Sequence, residues 1–129
     1  MADQTKKTAT KLADKWVKVW NTNDAPLASS IFSPAGVYYS FVRLFTIGSQ
    51  IEGHVQLMGY AVNNMERVGK LKTKGDRTFT FVVEADLTDG NFVTKRYRGT
   101  QLMKLELDQD KIGLLTWLVD PAPHPPGQA

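Results

Sequence analysis

The 129-residue chain is 42% hydrophobic, 22% charged and 10% aromatic, a globular profile that excludes collagen-like and wholly disordered architectures, and a single chain of this length buries roughly 65–70% of its unfolded surface. The absence of cysteine excludes disulfide frameworks, thiolate metal sites and cysteine nucleophiles and predicts a reducing, cytoplasmic setting. Lys and Arg exceed Asp and Glu by 16 to 13, for a net charge of +3, too small an excess to call for nucleic acid, and no apolar run of about 18 residues predicts a membrane span.

Residues 5–20 place Ala9, Leu12, Ala13, Trp16, Val19 and Trp20 at spacings of three and four, with Lys6, Lys7, Lys11, Lys15 and Lys18 between them. This is an amphipathic helix with one apolar stripe and one basic face. A stripe that carries tryptophan docks on a sheet, so both indoles read first as core, and Trp20 also as a candidate ligand contact. Asn21-Thr22-Asn23-Asp24 breaks the pattern. Asp24 before Ala25-Pro26 is an N-cap with proline in the first turn, opening a second short helix through Phe32 that Ser33-Pro34-Ala35-Gly36 closes. Val37 to Leu44 is predicted as a strand, with Ile47-Gly48-Ser49-Gln50 as the turn leaving it.

From Gln50 to Val68 the residues Ile51, Val55, Met58, Val62 and Met65 restore a helical spacing, weakened at Gly53 and Gly59 by about 1 kcal/mol each relative to alanine. After Gly69 the pattern becomes β. Lys70 to Lys74, a Gly75-Asp76 turn and Thr78 to Leu87 come first, with Phe79, Phe81, Val83, Ala85 and Leu87 on one face. An Asp89-Gly90 hairpin, a long strand Phe92 to Leu107, an Asp108-Gln109-Asp110 turn and a last strand Ile112 to Asp120 follow. The predicted order α-α-β-α-β-β-β-β is that of an α+β domain in which a curved sheet wraps the helices. One domain is expected over residues 1–120, and the proline-rich residues 121–129 are expected to be an extended or disordered tail.

This order, the Trp-bearing first helix, the Asn-Asp step into a short second helix, and the ending Arg98-Gly99-Thr100, Asp110-Lys111-Ile112 and Trp117-Leu118-Val119-Asp120 resemble the SnoaL-like branch of the NTF2-like superfamily across roughly residues 8–121. The resemblance implies an NTF2-like cone: three N-terminal helices held in a strongly curved, mostly antiparallel sheet, with a mostly apolar pocket inside. Activities on this fold include ketosteroid isomerase, limonene epoxide hydrolase, scytalone dehydratase and polyketide cyclases, beside non-catalytic transport and dimerisation modules, so fold alone leaves function open. Gly36-Val37-Tyr38-Tyr39-Ser40 has no carboxylate where ketosteroid isomerase has its aspartate base. Arg96 and Arg98 are followed by Gly99 and Thr100 and not by the aspartate of the epoxide hydrolases. His54 and His124 do not build the histidine pair of scytalone dehydratase. Asp120 falls where polyketide cyclases of the SnoaL type carry an acid/base aspartate.

Asp120, directly before Pro121, is then either a strand-ending residue at the rim or a partly desolvated acid/base at the mouth of the cone. Tyr39 and Arg43 stand four apart on the first strand and share a face. If that face is concave they stabilise charge on a substrate oxygen; if not, Tyr39 is packing and Arg43 reaches solvent. Val93, Tyr97, Met103 and Leu105 form the apolar face of the long strand and carry Gln101 with them, opposite Arg96, Arg98, Lys104 and Glu106, unless a bulge at Gly99 reverses the phase. Glu84 and Asp86 read as solvated, His54 as a surface or capping residue, and the basic edge Lys70, Lys72, Lys74 and Arg77 as a solubilised hairpin.

No P-loop, GxGxxG or HExxH occurs, so neither a cofactor nor a metal is expected. The leading expectation is a cofactor-independent isomerase or cyclase acting on a hydrophobic intermediate of secondary metabolism. Asp120, Arg43 and Tyr39 would be catalytic, and Tyr97, Gln101 and Trp20 substrate-binding. The alternative is a non-catalytic binding or dimerisation module, and inward-facing polar groups without structural partners would separate the two. Ile112 to Val119 is apolar on both faces, which predicts a homodimer through the convex side of the sheet.

Overall fold

A computed structural model describes residues 2–39, 45–47, 49–59, 62–88 and 96–118. The described elements are α1 (Ala2–Thr22), α2 (Ala25–Ser30), β1 (Phe32–Tyr39), β2 (Phe45–Ile47), α3 (Ser49–Met58), β3 (Val62–Thr73), β4 (Thr78–Thr88), β5 (Arg96–Asp108) and β6 (Lys111–Leu118). The apolar stripe of α1 is buried along its length, with Ala9, Ala13, Trp16 and Val19 wholly inaccessible, while Lys7, Lys11, Lys15 and Lys18 face solvent. Asp24 caps α2 by accepting a hydrogen bond from the Leu27 amide at 3.1 Å, and Pro26 lies in the first turn.

Six strands form one unclosed sheet in the order β2-β1-β6-β5-β4-β3. β1 runs parallel to β6, and the other described pairs are antiparallel. The fold is thus α+β, with helices packed in a curved, mixed and mostly antiparallel sheet. Its inner face presents Phe79, Phe81, Val83 and Ala85 from β4, Gln101, Met103 and Leu105 from β5, and Leu115 and Trp117 from β6, all buried against α1 and its neighbours. The hairpin after Asp108 turns through Gln109, whose positive φ of 56° suits a tight connection.

Three expectations are corrected. The second helix ends at Ser30, and Ser33 to Gly36 belong to β1. Buried Gly36 lies so close to β6 that a Cβ there would stand 2.6 Å from the Ile112 carbonyl oxygen, which explains a glycine inside a strand. Residues 45–47 form the short strand β2, paired with β1, where a turn is expected from Ile47. The third helix stops at Met58, and the stretch from Val62 is strand. Its helix-like spacing comes from an irregularity: the register of β3 on β4 shifts between Asn63 and Glu66, with Asn64 at φ 51°, so the inward residues Val62 and Met65 stand three apart. The Asp89-Gly90 hairpin, the start of the long strand and residues 121–129 lie outside the described residues.

Candidate aromatic site inside the sheet

Four rings meet in a closed circuit inside the fold. Trp16 and Trp20, one turn apart on the buried stripe of α1, stand 5.6 Å apart between ring centroids. Trp20 lies 6.4 Å from His54 of α3, His54 lies 5.3 Å from Tyr38 of β1, and Tyr38 closes the circuit on Trp16 at 4.9 Å. All four contacts are edge-on, the arrangement that places a positive ring edge against a negative face. Phe32 and Trp117 extend the cluster, on Trp16 and Trp20 respectively.

The polar atoms of these rings fall into two groups. Trp117 is satisfied: its Nε1 donates to Gln101 Oε1 at 2.8 Å, and Gln101 Nε2 donates to the Thr100 carbonyl at 2.9 Å. Trp16 Nε1, Trp20 Nε1 and Tyr38 Oη are buried without a hydrogen-bond partner among the described residues. Leaving a buried donor unpaired costs about 1–3 kcal/mol. Burial drives the Tyr38 pKa well above that of a free phenol, so the hydroxyl keeps its proton. Burial also lowers the pKa of His54, which favours the neutral imidazole.

Of the residues expected at the site, Trp20 and Gln101 are inside and linked through Trp117. Gln101 spends its acceptor on that indole and a donor on its own strand. Tyr39 is corrected. It pairs with Thr116 on β6, whereas Tyr38 pairs with buried Leu115, so the inward phenol of β1 is Tyr38 and Tyr39 is half-buried on the outer face. The Tyr97 backbone pairs with Leu87 on β4, its side chain being outside the description, and Arg43 and Asp120 lie outside the described residues. His54, expected at the surface, is buried with Ile51 and Val55. Its place next to Val55 and three residues after Ile51 was the available signal, since both belong to the apolar stripe of α3.

Several other polar groups are paired away from this cluster. On the outer face Arg98 bridges Glu66 at 3.0 Å and Asp86 at 3.2 Å. A surface hollow of about 610 Å³ between α1 and β3 is lined by Lys6, Lys7, Lys11, Lys70 and Arg67, the last held by Asp14 at 2.9 Å. Among the described residues no group of three His, Asp or Glu side chains could hold a metal ion, and no helix is long and apolar enough to cross a membrane.

No family model matches the chain, and no curated protein matches it by sequence. Solved structures match its fold over most of its length. A candidate polyketide cyclase from Xanthomonas campestris pv. campestris is 12% identical with a TM-score of 0.69, covering 90% of this chain and 93% of that one. An epoxide hydrolase of the limonene epoxide hydrolase type from M. tuberculosis is 14% identical with a TM-score of 0.67, over 89% and 84%. A protein of ketosteroid isomerase-like fold from Catenulispora acidiphila, solved with trimethylamine, is 14% identical with a TM-score of 0.70, over 85% of each chain. The chain therefore has a ketosteroid isomerase-like fold, the fold that the sequence resemblance implies. A de novo designed protein with a curved sheet matches as well, with a TM-score of 0.68, so the fold by itself assigns no reaction.

Proposed function

We propose that the protein binds a hydrophobic small molecule inside the sheet and isomerises or cyclises it without a cofactor, by proton transfer and by holding a reactive conformer. The observation that carries this reading is the set of buried, unpaired donors on Trp16, Trp20 and Tyr38. Phenylalanine at those positions would bury similar apolar surface with no unpaired donor, so the polar atoms point to an occupant that supplies their partners. A largely apolar lining with a few polar atoms is the usual composition of a small-molecule site. Cyclase and hydrolase neighbours of the same fold support the reaction class.

Within this reading Asp120 is the proton-transfer group, as the SnoaL resemblance implies, and Arg43 is the cation that steadies developing negative charge. Tyr97 and Trp20 are substrate-binding residues in this reading, and Gln101 contributes by fixing Trp117. A cytoplasmic setting, supported by the absence of cysteine, and a homodimer through the outer face complete the proposal.

The test is native mass spectrometry of the purified protein for a small-molecule adduct, followed by conversion of that molecule by wild type and by Asp120→Asn. General acid–base catalysis is worth about 10²–10⁴-fold, so Asp120→Asn should lower turnover by that factor with the fold retained. A bound molecule that is never converted leaves the second reading, a non-catalytic binding module; a protein that carries no molecule and takes none up sinks both.

A further inference from the structure

We infer that the hollow between α1 and β3 is a second ligand site, on the outside of the fold, which takes a small molecule carrying two or more linked phosphate groups.

The chain has a net charge of only +3, yet five of the seven described residues lining this hollow are cations: Lys6, Lys7 and Lys11 from α1, and Arg67 and Lys70 from β3. Among the described residues no carboxylate lines it. Arg67 is already engaged, donating to Asp14 at 2.9 Å and to the Gly69 carbonyl. The four lysines form no ion pair among the described residues. Lys7 and Lys11 stand four apart on the helix, a spacing at which like charges weaken it, and exposed Lys70 adds a further charge from the facing strand. Packing of α1 does not call for this crowding, because the helix docks through its buried stripe of Ala9, Leu12 and Ala13. An anion seated between the two elements would turn the repulsion into attraction.

The chemistry of the occupant follows from charge, size and lining. One phosphate group brings a charge of about −1.5 to −2 at neutral pH, so two or more are needed to match four ammonium groups. Lysine offers a mobile point charge in place of a planar fork, which suits a flexible phosphate chain. A volume of about 610 Å³ is that of a small-molecule site. Among the described residues no aromatic ring lines the hollow to stack a base, and Leu71, its apolar residue, is buried. The lining therefore favours a soluble phosphate compound over a nucleic-acid strand or a lipid surface.

Isothermal titration calorimetry of the full chain with sodium tripolyphosphate and with orthophosphate tests the inference. Tripolyphosphate should bind at least about tenfold more tightly, the factor expected for one further charge-assisted hydrogen bond. Lys7→Gln combined with Lys70→Gln should weaken tripolyphosphate binding by about tenfold or more. Lys15→Gln combined with Lys18→Gln removes the same charge from exposed positions of α1 outside the hollow and should change it by less than about twofold. Lys11→Gln, another exposed position, supplies an independent loss if the first pair perturbs the fold. Equal losses from the two double variants would reduce the effect to diffuse attraction and overturn the site. Equal affinity for the two anions, or no binding of tripolyphosphate, would overturn it as well. Tighter Lys7- and Lys70-dependent binding of hexathymidylate or of phosphatidylglycerol vesicles would overturn the small-molecule assignment.

Discussion

The side chain of Asn21 satisfies both backbone groups of Met65: its Nδ2 donates to the Met65 carbonyl at 2.8 Å, and its Oδ1 accepts from the Met65 amide at 2.7 Å. β3 is an edge strand, so these main-chain groups have no neighbouring strand to bond, and the last turn of α1 stands in for one. Asn21→Ala should therefore loosen helix and sheet together and lower stability by about 1–3 kcal/mol, the range for two hydrogen bonds that are partly shielded from water. Chemical denaturation reads the loss. Asn21→Asp, which keeps the acceptor and loses the donor, should fall between wild type and alanine.

Gln101 and Trp117 form a second pair whose partners depend on one another. Gln101→Leu should cost about 1–3 kcal/mol because it strands the Trp117 N–H in the interior, and adding Trp117→Phe should recover part of that loss by removing the stranded donor. A double-mutant cycle measured by urea unfolding would show this as a favourable coupling. Strict additivity would mean that the hydrogen bond contributes nothing net.

Burial lowers the pKa of His54 in the folded chain. An unfolded histidine titrates near pH 6.5, so below that pH the unfolded chain takes up a proton that the folded one resists. The contribution of His54 to stability is complete above about pH 6.5 and declines as pH falls toward the lowered folded value. Melting temperature should drop between pH 7.5 and 5.0, and His54→Leu should flatten that slope. An unchanged slope in scanning calorimetry would place the titrating group elsewhere.

On the outer face, register aligns Val68 with Val82, Val82 with Leu102, and Leu102 with Leu118, an apolar row crossing four strands. Val68 is 43% exposed. Association of two copies over this row would cover it. Leu102→Glu should convert a dimer to a monomer in light scattering at micromolar concentration while leaving the inner face untouched. A monomeric wild type would remove the homodimer from the proposal.

Where burial sets a regular period, the sequence was readable. The stripe of α1, the Asp24 cap and the alternation of β4 follow from local rules that tertiary contacts reinforce. The period misleads where the backbone adds residues. The β1 pairing shifts between Phe32 and Val37, and the β3 pairing shifts between Asn63 and Glu66. The second shift gives a strand the spacing of a helix. At the site, the two tryptophans were visible as one face of a helix, but the choice between Tyr38 and Tyr39 depends on the pairing of β1 with β6, which local sequence does not encode. The same holds for the unpaired state of the donors: it depends on what α1, β1 and α3 place opposite them, and hydrophobic pattern carries no record of that.

The parallel pairing of β1 with β6 also sets the order of events at the ribosome. Lys111 Nζ reaches the Ser30 carbonyl across 81 positions of chain, and the Ile112 amide bonds the Ile31 carbonyl beside it. While the chain is being made, Trp16, Trp20 and Tyr38 emerge early and wait for the strand that will seat β1, because contacts so distant in sequence form late. Until β6 leaves the exit tunnel, the nascent N-terminal half carries an uncovered cluster of aromatic rings.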